Sequence, residues 1–257
     1  MRIPRRTDVE IEAIAQACRI VARALDAVEQ AARPGLTTLA LAEIARETIE
    51  QSGGVSLFRG YTRGEAPPFP GDVCLSVNEE IVHGVPGERI IADGDVVKID
   101  CGVRYEGWCG DGARTLLVGG VTEEARRLAQ TTKAVLALAI DMMKAGALWS
   151  DIAKAMQTAA ENEQFGVVVE YVGHGIGREL HEPPKVPAFA TGWDWSRDFV
   201  LKPGMVLAVE PMLTAGSPRV ASLDDGWTVV TKDRSLAAHE EHTVAIRDRG
   251  PQVLTQA

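Results

Sequence analysis

VVKIDCGVRYEGWCGDGARTL, residues 96–116, reads as two strands folded back on each other, each carrying an acid where a buried strand rarely holds one. Val96, Val97, Ile99 and Cys101 make the first arm apolar on both faces, the pattern of a strand covered on both sides. The turn lies around Tyr105-Glu106-Gly107. With Tyr105-Glu106 as a two-residue loop, Asp100 pairs directly with Asp111. Centring the turn on Glu106-Gly107 moves the register but keeps both acids on one face, because strand side chains alternate with period two. Two opposed carboxylates repel, and a buried unpaired one is strongly unfavourable. A cation between Asp100 and Asp111 removes both penalties, so the hairpin predicts a metal site.

Three further residues extend the set: His174 in YVGHGIG, Glu210 in MVLAVEP and Glu241 in EEHTVAI. Two divalent cations would balance the four carboxylates, and a paired-metal site is a device for hydrolysis. Alternation places Val206, Ala208 and Glu210 on one face, and Pro211 ends the ladder. Glu240 and Glu241 must point to opposite faces, and periodicity does not choose between them. In GHGIGRELHEPP, residues 173–184, Gly173, Gly175 and Gly177 allow close backbone approach to a ligand. A phosphate-binding loop is a poor alternative, since Pro183-Pro184 forbids the helix that should follow. His174 as a ligand and His181 as a non-ligand polariser suit the chemistry better. His83, before a Gly-Val-Pro turn, reads on its own as a turn residue, and His239 and His242 as edge or supporting groups. Cys74 has no Cys–His–Asx arrangement and reads as apolar filler.

The remaining sequence predicts two helix pairs, each broken by a glycine and followed by strands. TDVE at 7–10 is a capping box opening an amphipathic helix through Ile11, Ile14, Cys18, Val21, Leu25 and Val28 to about residue 31. After Pro34-Gly35 a second helix spans 38–51. Strands are expected at 88–103 and 108–118, helices at 122–145 and 150–162, and strands at 167–173, 205–210, 226–231 and 241–247. Gly35 and Gly146 lie 111 apart and Asp100 and Glu210 lie 110 apart, a thin hint of a duplicated α+β half.

With 257 residues and 46% hydrophobic content, the chain can bury a sizeable core, read here as one catalytic domain over 1–257. A net charge of −9 argues against nucleic acid or an anionic membrane as the main partner. Arg2, Arg5 and Arg6 form a local basic exception, read as a frayed terminus. No membrane span or signal segment is visible, and Cys18, Cys74, Cys101 and Cys109 form no disulfide framework. The expectation is a cytoplasmic protein.

Taken in order, SVNEEIVHGVPG, VVKIDCGVRYEGWCGDGARTL, VGHGIGRELHEPP, KPGMVLAVEPML and GWTVVTKDRSLAAHEEHT closely resemble the motifs of type I methionine aminopeptidases. The resemblance runs from the first helix to Ile246. It implies an α/β (α+β) pita-bread fold, with pseudo-twofold halves, antiparallel sheets covered by helices, and a metal site in the central cleft. Carried over position by position, it makes Asp100, Asp111, His174, Glu210 and Glu241 the metal ligands, Asp111 and Glu241 bridging, with the following His-Thr selecting Glu241 over Glu240. It makes His83 and His181 the substrate-contacting histidines, and Phe58, Tyr61, Cys74 and Trp227 the wall of the methionine pocket.

The implied activity is hydrolytic removal of the initiator methionine from nascent chains, ahead of a small second residue. Glu210 would shuttle the proton, and His181 would stabilise the carbonyl oxygen. The oxygen-rich donor set favours Co(II), Mn or Fe(II) over thiolate-type zinc. Ribosome binding has no motif here, and a monomer is the default. A proline-specific peptidase of the same fold and a non-enzymatic binding relative are the competing readings. Four departures from the family pattern are expected to border the pocket: Leu180, where an aromatic residue is usual; Val55, where cysteine is frequent; and extended loops at 62–73 and 187–200.

Overall fold

The computed structural model describes residues 2–256. The capping box opens α1 (Asp8–Ala31) as expected: Thr7 caps the Glu10 amide and Glu10 returns the bond to the Thr7 amide. The apolar stripe of α1, with Val21, Leu25 and Val28 fully covered, packs on α2 (Thr38–Gln51) and on strands Val96–Tyr105 and Trp108–Leu117. The second helix pair, α3 (Glu123–Met142) and α4 (Trp149–Asn162), packs around Leu128, Trp149 and Met156 against the second set of strands.

The duplication hinted at by residue spacing is explicit in the backbone. Gly35 and Gly146 adopt φ 95° and 94°, each in a break between paired helices. Isolated bridges Thr37–Ile90 and Leu148–Val200 occupy matching places, as do the short strands Val55–Ser56 and Gly166–Val167. Among the described residues, the strands form four antiparallel sheets. In the first half, Val96–Tyr105 pairs with Trp108–Leu117 on one side and with Val55–Ser56 and Cys74–Val77 on the other. In the second half, a five-stranded sheet runs in the order Gly250–Val253, His242–Arg247, Val206–Val209, Gly173–Gly175, Glu182–Val186. The halves are stitched where Glu80–Val82 pairs with Val229–Thr231 and where Ala113 exchanges backbone bonds with Glu241.

The structure chooses between the two turn centres left open by the sequence and corrects other expectations. The hairpin turns on Glu106-Gly107, both at positive φ (48° and 78°), so Asp100 faces Ala113 and Asp111 faces Gly102. A glycine in the second turn position suits the mirror-image turn that matches strand twist, which favours this register over one centred on Tyr105-Glu106. The acids are therefore diagonal neighbours on one face rather than a direct pair. Residues 88–95 are not strand; the Asp93-Gly94 turn, with Gly94 at φ 92° and Asp95 accepting from the Ala92 amide, delays the strand to Val96. Within 167–173 only the ends join strands. Two of the three amino-terminal arginines are not frayed: Arg5 donates to the Pro203 carbonyl, and Arg6 pairs with Glu182 and lies over Trp108.

Candidate active site

The two halves enclose a cleft of about 580 Å³. All five sequence-selected acids and imidazoles, Asp100, Asp111, His174, Glu210 and Glu241, line it, as do His83, His181, Phe58, Tyr61, Cys74 and Trp227. Asp111, His174 and Glu241 are buried and each offers a ligand atom within 4.8 Å of the others. Asp100 and Glu210 face the same space but lie outside that tight triad.

Local structure explains each placement. Asp111 is held at both backbone ends by Thr243, whose hydroxyl donates to the Asp111 carbonyl (2.7 Å) and accepts from its amide (3.2 Å). His174 sits opposite Ala208 on the strand leading to Glu210, and Thr243 opposes Ala208 from the other side. The glycines around His174 serve a purpose other than the ligand approach expected of them. A Cβ on Gly173 would lie 2.3 Å from the Ala208 carbonyl oxygen, and one on Gly175 2.2 Å from that of Pro183. They let strands close tightly behind the imidazole. His174 Nδ1 lies 3.0 Å from the Gly175 carbonyl, so it carries the proton there and turns Nε2 toward Asp111 (3.6 Å) and Glu210 (3.7 Å). Glu240 turns the other way and accepts from the Thr115 amide, which resolves the glutamate choice that alternation left open.

The electrostatics are those of a cation site. Burial, then the charges of Asp111 and Glu210, push Asp100 well above the usual carboxylate range. Burial, then Asp111, Glu210 and Asp100, do the same to Glu241. Asp100 Oδ1 and Glu241 Oε1 are covered yet find no hydrogen-bond partner. Such orphaned acid oxygens are rare in a folded chain without a missing ligand. Burial alone would raise Glu210, but His239, His174 and His181 outweigh it and hold it low. His239 Nε2 lies 3.6 Å from Glu210 Oε2 at 1% exposure, which makes it the buried imidazole behind that acid. The donor set therefore fits divalent metal: hard oxygens with one imidazole, in a pocket that penalises their charge.

The apolar end of the cleft is a cluster of Phe69, Cys74 and Trp227 with Phe58 packed on it. Phe69 and Trp227 meet edge to face at 5.3 Å. Phe69 was missed in the sequence because it lies in a proline-rich loop with no periodicity. Burial pushes the Cys74 thiol well above its ordinary value, as suits filler rather than a nucleophile. His83 holds φ 59°, a strained conformation for a non-glycine residue. Burial, then the charge of Arg63, lowers it to about 4. His181 is also held low, by burial and then by His174, and its Nδ1 lies 3.2 Å from the Tyr61 hydroxyl. Both imidazoles are neutral near pH 7, able to donate or accept one hydrogen bond at each nitrogen.

Of the four departures, Leu180 and the 62–73 loop do line the cleft. Val55 does not; it is 65% exposed. The 187–200 loop does not either: Trp193, Trp195 and Phe199 pack on the core under α4, and Phe199 stacks on Trp149 at 5.9 Å.

The profile of metallopeptidase family M24 matches residues 12–248. A methionine aminopeptidase of Bacillus subtilis is 43% identical over 251 residues, covering 98% of each chain. The crystal structure of a methionine aminopeptidase from Thermotoga maritima superposes with a TM-score of 0.94 at 39% identity over the whole of both chains. A prolidase from Pyrococcus furiosus shares the fold, with a TM-score of 0.77 at 23% identity, but this chain covers 65% of it. Among the described residues, no helix is long and apolar enough to cross a membrane.

Proposed function

The chain belongs to metallopeptidase family M24, and from that premise we propose that it is a methionine aminopeptidase with the pita-bread fold, releasing the first methionine of newly made chains. The observation that carries this reading is the convergence of Asp111, His174 and Glu241 beside a dead-end apolar pocket of Phe58, Phe69, Cys74 and Trp227. We read residues 1–257 as one catalytic domain acting in the cytoplasm, as a monomer.

Asp100, Asp111, His174, Glu210 and Glu241 would hold two divalent ions, of Co(II), Mn or Fe(II) type. When bound, these supply water acidified toward neutrality and an electrophilic pull on the scissile carbonyl. The chain's own groups do the rest. The apolar pocket takes the methionine side chain, and the acid cluster attracts the free α-amine, which makes the activity that of an exopeptidase. Glu210, kept ionised by His239 and His174, accepts the proton of the attacking water and passes it to the leaving amine. Neutral His181, oriented by Tyr61, donates to the carbonyl oxygen as charge develops there. His83 hydrogen-bonds near the scissile nitrogen.

The deciding assay supplies the metal-loaded enzyme with a Met-Ala-led peptide, a Met-Gly-Met peptide and an Ala-Pro peptide. Methionine release from the first two is expected. Cleavage of the proline bond alone would move the chain to the proline-specific branch, and no divalent-metal binding with Asp100 intact would make it a non-enzymatic relative.

A further inference from the structure

The 62–68 loop carries a cation to the mouth of the cleft and fixes it there. The loop is closed at its base, where the Gly60 amide bonds the Phe69 carbonyl and the Phe69 amide bonds that of Tyr61. Its far side is pinned by Trp227 Nε1, which donates to the Pro67 carbonyl at 2.7 Å. Gly226 lets Ala66 and Pro67 settle against it. From this tether the Arg63 guanidinium lies 5.4 Å from the Trp227 ring centre and 5.9 Å from that of Tyr171. Cation–π attraction to two rings holds the group without using its N–H donors. Among the described residues, Arg63 takes part in no ion pair with a carboxylate. Lys185, the other cation of the cleft wall, is exposed on a flexible stem with no such clamp.

We propose that Arg63 is a specificity-determining residue that selects substrates carrying a carboxylate just downstream of the scissile bond, at the third position. This rests on the methionine-releasing activity. His83 meets Tyr171 edge to face at 5.3 Å and Trp227 at 6.5 Å, and the Arg63 guanidinium caps that same pair of rings, next to the histidine assigned to the scissile nitrogen and at the rim of the methionine pocket. The scissile nitrogen belongs to the second residue, so one extended residue, about 3.5 Å, carries the chain to the third, whose aspartate side chain adds its own length; a small second residue has no such reach. The chain's net charge of −9 would otherwise disfavour acidic peptides. A fixed guanidinium at the exit reverses that locally.

The test compares kcat/KM for two C-terminally amidated peptides, Met-Ala-Asp-Ser-Gly and Met-Ala-Asn-Ser-Gly, which differ by one charge at nearly constant shape. Wild-type enzyme is expected to prefer the aspartate peptide about three- to fivefold, as befits an ion pair near solvent. The preference should lie mostly in KM and fade in roughly 0.5 M salt. R63M should bring the ratio to one and R63E should invert it, while K185M keeps it; because two substrates are compared, any general change in rate cancels. Met-Ala-Ser as free acid against its amide separates a terminal carboxylate from a side-chain one, and only the side-chain preference supports the assignment. A wild-type ratio of one, or a ratio unchanged in R63M, overturns it while leaving methionine release standing. No methionine release from either peptide would overturn both.

Discussion

Thr243 and Asp111 exchange two hydrogen bonds across the seam between the halves, the threonine hydroxyl serving both the carbonyl and the amide of the aspartate. A strand of the second half thus sets the backbone of an acid supplied by the first. Thr243→Val keeps the shape but strands both backbone groups at a position with no exposure. The expected loss is about 1–3 kcal/mol of stability, read by chemical denaturation, together with weaker metal binding by titration calorimetry. Unchanged metal affinity would show that Asp111 needs no help from across the seam.

Asp111→Asn or Glu241→Gln should abolish both divalent-metal uptake and methionine release. His181→Ala should slow release about 10²–10³-fold while metal content, measured by elemental analysis, persists. Equal loss of metal in His181→Ala would refute its role as a polariser.

Asp100 and Glu241 bind protons more tightly in the folded chain than in the unfolded one. Metal-free stability should therefore fall as pH rises above about 4, the unfolded carboxylate value. Bound cations displace those protons, so the gain in Tm on adding Mn(II) should grow between pH 5 and 8. A gain that is flat across this range would mean the two acids are not neutralised by the ions.

Lys98 is 1% exposed and donates to the carbonyls of Asn78 and Val96, yet burial lowers it to about 7. The unfolded lysine titrates near 10.4, so the unfolded chain holds more protons between those values and stability should climb with pH from about 7. The full contribution is at most about 5 kcal/mol. Between pH 6.5 and 9.5, the denaturation midpoint of the wild type should rise relative to that of Lys98→Met under the same metal conditions. Parallel slopes would place the ammonium in contact with water.

The 187–200 loop belongs to the core of the second half rather than to the cleft. Phe199→Ala, which removes the stack on Trp149, should cost about 1–3 kcal/mol of stability. KM for a Met-Ala peptide should stay within experimental error; a rise would tie the loop to substrate binding.

Much of the site was legible because its acids stand out against apolar strands: Asp100, Asp111 and Glu210 sit where only a partner makes burial tolerable, and all three line the cleft. The helices were legible from periodicity and caps, to within a residue or two at the ends of α1 and α2. Register was not, since one residue of turn choice moves the whole ladder, and only the positive φ of Glu106 and Gly107 decides it. Phe69 and Arg63 were invisible for another reason. Their loop follows no repeat, and its path is set by single tertiary bonds to Trp227 and Tyr61. Val55 misled because a motif position records ancestry, whereas in the fold this residue is exposed and outside the cleft.

Asp100 and Asp111 come from one half of the duplicated fold, and His174, Glu210 and Glu241 from the other. During synthesis the early acids exist for well over a hundred residues before their last companion is made. A product that stops before Glu241 lacks one of the acids that line the cleft, so the full set comes together only in a nearly finished chain.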